Sequence, residues 1–104
     1  MKERRRAIRF PTNHKGKYST LEKRRDWKEC VIINVSYSGM AVRFNTSTPP
    51  VLGSTVKLKI PIGKEDELLN VIGILMWLEE GVNFFVGGVK LIKSLSSTTL
   101  LRLL

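Results

Sequence analysis

Two short stretches hold the residue types able to do chemistry. Arg4-Arg5-Arg6-Ala7-Ile8-Arg9 sets four guanidinium groups in one leading segment, and Asn34-Val35-Ser36-Tyr37-Ser38-Gly39 puts an amide and hydroxyls beside a glycine. A guanidinium is permanently charged and presents a planar fork of donors, so closely spaced arginines suit an anionic partner. Asn34 and Ser36 can bond locally to backbone groups or outward to a ligand. Gly39 suits a position needing positive φ or close approach by another group. Taken singly, each stretch has a plainer reading: a basic run is a solvated face, and Asn and Ser close ordinary turns.

The flanking residues say what must position these groups. Val31-Ile32-Ile33 upstream and Met40, Val42 and Phe44 downstream read as strands, which makes Asn34–Gly39 a tight reversal between them. A polar strand is expected over His14–Thr20, then a charged hairpin loop over Leu21–Asp26, and a strand from Trp27 to Ile33. Val56, Leu58 and Ile60 alternate with Lys57 and Lys59, the clearest half-buried strand in the chain. Leu68–Leu78 is a long apolar run in which Gly73 marks a bend or bulge. Glu79-Glu80-Gly81 reads as a short hairpin connection, and Val82–Ile92 returns as the last strand. Six strands with turn signals between them predict an all-β fold, a small six-stranded antiparallel β-barrel. Ser and Thr residues ahead of Leu100, Leu101, Leu103 and Leu104 predict a short C-terminal helix over about 95–104, placed to plug or flank the barrel or to pack on a second subunit. Residues 1–13 lack periodicity and end in Pro11-Thr12-Asn13, so they read as a flexible basic arm ahead of a single domain over 14–104.

Charge narrows the function classes. Of the formal +9, residues 1–28 supply +8 through eleven Lys/Arg against three acids, and the rest of the chain supplies +1. A field concentrated at one end implies an anionic partner such as a nucleotide, a nucleic acid or an acidic surface. The chain of 104 residues allows one modest core. No apolar run is long enough for a membrane span, and no apolar stretch follows the basic start, so a cytoplasmic location is expected and the sequons at Asn34 and Asn45 are discounted. Cys30 has no cysteine partner and His14 is the one histidine, so neither a disulfide nor a metal site is expected. With no acid/base pair in recognisable context and no phosphate-cradling loop, no catalytic residues are assigned and an enzyme is the weakest class.

Arg4, Arg5 and Arg9 fit Arg-Arg-x-x-x-Arg, and Asn34, Ser36 and Gly39 fit (Asp/Asn)-x-Ser-x-x-Gly. In this order, at the head of a small barrel, the pair resembles the PilZ domain, the bacterial receptor module for the second messenger cyclic di-GMP. Ile74-Leu75-Met76-Trp77 and Gly87-Gly88-Val89 resemble the last two strands of that family. The resemblance implies that Arg5 and Arg9 contact guanine and phosphate, that Arg4 supports or stacks, that Asn34 accepts from guanine N1/N2 donors, that Ser36 bonds base or phosphate, and that Gly39 shapes the turn. Arg6 leaves more than one assignment open. The chemistry is compatible, since guanine O6 and N7 form the paired acceptor edge that an arginine fork meets. The implied function is a sensor with cyclic di-GMP as ligand and no cofactor, its arm ordered by the ligand and read by a downstream protein effector in motility, biofilm or exopolysaccharide control. Monomer and homodimer are both compatible. The rivals are a basic nucleic-acid-binding barrel, disfavoured by the missing RNA-recognition aromatic signature, and a PilZ-like adaptor that does not bind the nucleotide. Trp77 reads as core or rim packing, and Arg24-Arg25 as solvated charge.

Overall fold

The structure, a computed structural model, describes residues 8–20, 26–63 and 67–104. Six strands, β1 Phe10–Thr20, β2 Lys28–Val35, β3 Gly39–Phe44, β4 Thr55–Pro61, β5 Leu68–Glu80 and β6 Phe85–Leu91, are followed by helix α1, Ser97–Leu103. All neighbours are antiparallel, and the order β1-β2-β3-β6-β5-β4 closes when β1 returns to β4 through Lys17↔Lys59 and Tyr18↔Leu58. The six-stranded barrel and its C-terminal helix are those the apolar periodicity predicts.

One side of each strand fills the interior. Ile32, Met40, Val42, Phe44, Val56, Leu58, Ile60 and Leu75 are essentially removed from water. Each such side chain contributes roughly 1.5–3 kcal/mol of transfer free energy. Tyr18 meets Phe44 edge to face at 4.8 Å between ring centroids. Helix α1 plugs the barrel: Leu100 and Leu103, with Leu95 ahead of them, join the same core cluster. Ser96 caps the helix by accepting from the Thr99 N–H at 3.1 Å, and Thr12 Oγ1 donates to the Leu103 carbonyl at 2.8 Å, fastening the helix end to β1.

Several boundaries differ from the sequence reading. The strand expected from His14 begins at Phe10, because Pro11 sits in the β1–β2 ladder opposite Asn34 at a register shift that relieves its missing N–H. Strand β5 runs through Glu79 and Glu80, so the connection to β6 is instead the turn in which the Gly81 N–H donates to the Phe84 carbonyl at 2.8 Å. The bulge in β5 falls between Leu75 and Trp77, not at Gly73. Gly73 serves a different need: a Cβ there would lie 2.6 Å from the Lys90 carbonyl oxygen of the neighbouring strand. The expected loop residues 21–25, and Arg4, Arg5 and Arg6 of the expected arm, lie outside the described residues.

Candidate functional site

The reversal after β2 is built by Ser36. Its N–H donates to the Gly39 carbonyl at 2.8 Å, and its Oγ accepts from the Gly39 N–H at 3.1 Å and from the Ser38 N–H at 3.3 Å. The side chain is buried and faces the turn backbone, so its hydroxyl is occupied in shaping the reversal. Gly39 meets the second of its two expected needs: it is not among the positive-φ residues, but a Cβ would stand 3.0 Å from the Val89 carbonyl oxygen. The turn is tied further to the C-terminal segment. Leu91 N–H donates to the Ser38 carbonyl and Leu95 N–H to the Tyr37 carbonyl, both at 2.8 Å, and the Tyr37 hydroxyl lies 3.3 Å from Ser97 Oγ.

Asn34 is aimed by a bulge. Ile32 and Val35 both face the core, so strict alternation from Ile32 would turn Asn34 inward; the extra residue between Ile32 and Asn34 in the β2–β3 ladder turns it out. Arg9, one residue ahead of β1, reaches it: Nη1 donates to Asn34 Oδ1 at 3.0 Å. Residues 25 apart in the chain, one from each stretch that the sequence singled out, therefore meet on the outer wall. Arg9 takes part in no ion pair among the described residues.

The register extends this meeting point into a shelf. Pro11, Asn34, Ala41, Gly88 and Trp77 stand opposite one another on successive strands β1, β2, β3, β6 and β5. Ala41 and Gly88 form a floor without bulk that is itself buried, with the Trp77 indole over Gly88; the span from Asn34 to Trp77 is about 14 Å at the usual strand spacing. Trp77 is turned out by the β5 bulge. Leu75 is buried and alternation would place Trp77 inside, yet it is two-fifths exposed, with its indole packed on Gly88, where an added Cβ would strike the ring. Ala41, Gly88 and Trp77 were not picked out as site residues by the sequence; the signal for them is register, which composition and spacing do not carry. Of the predicted set, Arg9 and Asn34 touch, Ser36 and Gly39 build the adjacent turn, and Arg4 and Arg5 lie outside the described residues. A wall of this kind offers a charged donor, an amide and an aromatic edge, groups that suit a planar, anionic, hydrogen-bonding ligand.

Comparison with known proteins agrees on the fold. The sequence matches the PilZ domain profile over residues 3–104, and the chain belongs to the PilZ family. The PilZ domain of Escherichia coli YcgR, solved with cyclic di-GMP, superposes with a TM-score of 0.72 at 14% identity, covering 97% of this chain and 86% of that one. The Bacillus subtilis inhibitor of motility, MotI (DgrA), gives 0.71 at 13% identity over 97% of this chain and 48% of MotI, so this chain spans about half of that protein. No curated protein matches by sequence.

Proposed function

We propose that this chain is a non-catalytic receptor for cyclic di-GMP, bound on the outer wall between the arginine-bearing leader and Asn34. The Arg9–Asn34 hydrogen bond carries the reading, because it supports a single site made from two distant stretches. Arg5 and Arg9 meet guanine and phosphate, Arg4 supports them, Asn34 reads the guanine edge, and Ser36 with Gly39 holds the turn in shape for the ligand. Trp77, two-fifths exposed over the buried Ala41–Gly88 floor, borders the site. The YcgR PilZ domain, which was solved with this dinucleotide, supports the same ligand at the level of the family.

The receptor acts in the cytoplasm, where ligand ordering of the leader changes shape and charge on one side of the barrel and a downstream protein reads that change. The turn's bonds to Leu91 and Leu95 give the signal a second route toward α1. Titration calorimetry with cyclic di-GMP, single-stranded RNA and duplex DNA across salt tests the proposal. A receptor saturates with the dinucleotide at low integer stoichiometry, and Arg5→Ala or Arg9→Ala abolishes that heat while circular dichroism stays native. A nucleic-acid binder instead shows log K falling with log salt at about 0.7–0.9 per phosphate neutralised and no dinucleotide response.

A further inference from the structure

A second basic surface lies along the same outer wall. Lys15 stands six positions beyond Arg9, ~20 Å along an extended strand. Lys15 and Lys17 project outward from β1, between inward-facing Gly16 and Tyr18. Lys17 is directly opposite Lys59 of β4 on one side and Glu29 of β2 on the other. Lys15 is opposite Val31, and Val31 is opposite Arg43 of β3. With Trp27 these residues line a groove of about 740 Å³, bordered by Pro61 and Leu68.

Basic groups outnumber acidic ones in the groove, where Glu29 is the carboxylate among the described lining residues. Like charges directly opposite one another in an antiparallel pair cost stability, and Lys17 and Lys59 are so placed. Among the described residues the ion pairs are Lys28–Asp26 and Arg102–Glu67, so Lys15, Lys17, Lys59 and Arg43 have no carboxylate partner. Among the described residues Arg43 Nε is buried without a hydrogen-bond acceptor, while its guanidinium lies 5.5 Å from the Phe84 ring centroid. Lys59 Nζ sits 4.3 Å from the Trp27 centroid.

We propose that this groove docks an acidic segment of another protein, its carboxylates on Lys15, Lys17, Lys59 and Arg43 and an apolar side chain against Val31 and Leu68. Charge complementarity sets the sign of the partner, and the aliphatic border sets its class. Val31, Pro61 and Leu68 offer nothing to a phosphate or a sugar, and the Trp27 face that a base would stack upon already holds Lys59. Lys15 and Lys17 repeat at ~7 Å, the spacing of alternate side chains in an extended peptide.

Fluorescence anisotropy with a short labelled peptide of pattern Asp-Ser-Asp-Ser-Leu tests the assignment, with an Asn-for-Asp peptide and oligothymidylate as controls. The acidic peptide binds saturably and the Asn peptide does not. Joint Lys17→Glu and Lys59→Glu weakens binding by about tenfold or more, and leaves the cyclic di-GMP titration unchanged. The Lys17→Gln, Lys59→Gln pair gives the same direction without new charge, should reversal impair folding. Arg9→Ala leaves peptide binding intact, which separates this surface from the dinucleotide site. Absence of acidic-peptide binding, equal binding by the double variants, or preference for oligothymidylate overturns the proposal.

Discussion

At the scale of single residues, the neutral acceptor opposite Arg9 matters. Asn34 holds the guanidinium through one hydrogen bond and cancels none of its charge, so the positive field stays available to a phosphate. Arg9→Lys keeps that field and loses the fork, and calorimetry should show dinucleotide affinity falling nearly as far as in Arg9→Ala. Asn34→Ala should weaken binding by roughly 1–3 kcal/mol if the amide reads guanine, with the melting temperature little changed because the side chain faces outward. Ser36→Ala should act in the reverse sense. The Gly39 N–H loses its acceptor in a buried place and the Ser38 N–H in a half-buried one, so thermal or denaturant unfolding should register a loss of roughly 1–3 kcal/mol. Cys30 makes part of the fold's stability pH-dependent: burial pushes its thiol from 9.0 up to about 12. The unfolded chain ionises above 9 while the folded chain holds its proton, so this group's contribution is intact below pH 9 and is lost as pH climbs toward 12. Denaturant midpoints across that range check the sign, and Cys30→Ala should flatten the slope.

At the scale of strands, the chain is legible wherever a period of 2 runs uninterrupted. Val56, Leu58 and Ile60 announce β4, and the stretch from Met40 to Phe44 announces β3. The bulges are where the pattern fails, and they lie at the site. Each inserts a residue beside a position that must face outward, Asn34 in β2 and Trp77 in β5, so alternation read from Ile32 or Leu75 puts both on the wrong side. A one-residue insertion reverses the face of everything beyond it, and nothing in residue type marks where it falls. Trp77 reads from sequence as core or rim packing, and its indole does pack on Gly88, at the rim and not in the core. Gly88→Ala probes the arrangement: a methyl group on the floor displaces the indole, which should shift tryptophan emission and lower dinucleotide affinity while circular dichroism remains that of a barrel. Pro11 shows the same failure at a boundary, since its usual meaning as a break gives way to a ladder position at an irregularity.

At the scale of the whole molecule, the barrel and the helix form one core. The Leu-rich tail leaves barrel plugging, flanking and pairing between subunits open from sequence; packing decides it, because Leu103 is wholly buried and Leu100 nearly so, while Leu101 and Leu104 face out. Leu103→Ala should cost about 2–5 kcal/mol in denaturant unfolding, the loss expected for emptying a core position of this size. The comparable change at Leu101 should be almost silent. Unfolding of both variants as a single transition would mark helix and barrel as one cooperative unit. The return of β1 to β4 also governs how this protein meets others. Over Lys17–Thr20 the ladder closes on Val56–Lys59, so along that seam a neighbour finds no ladder to extend and meets side chains instead. A contact made along that seam of the hoop would be written in outward-facing residues, where point substitutions can map it.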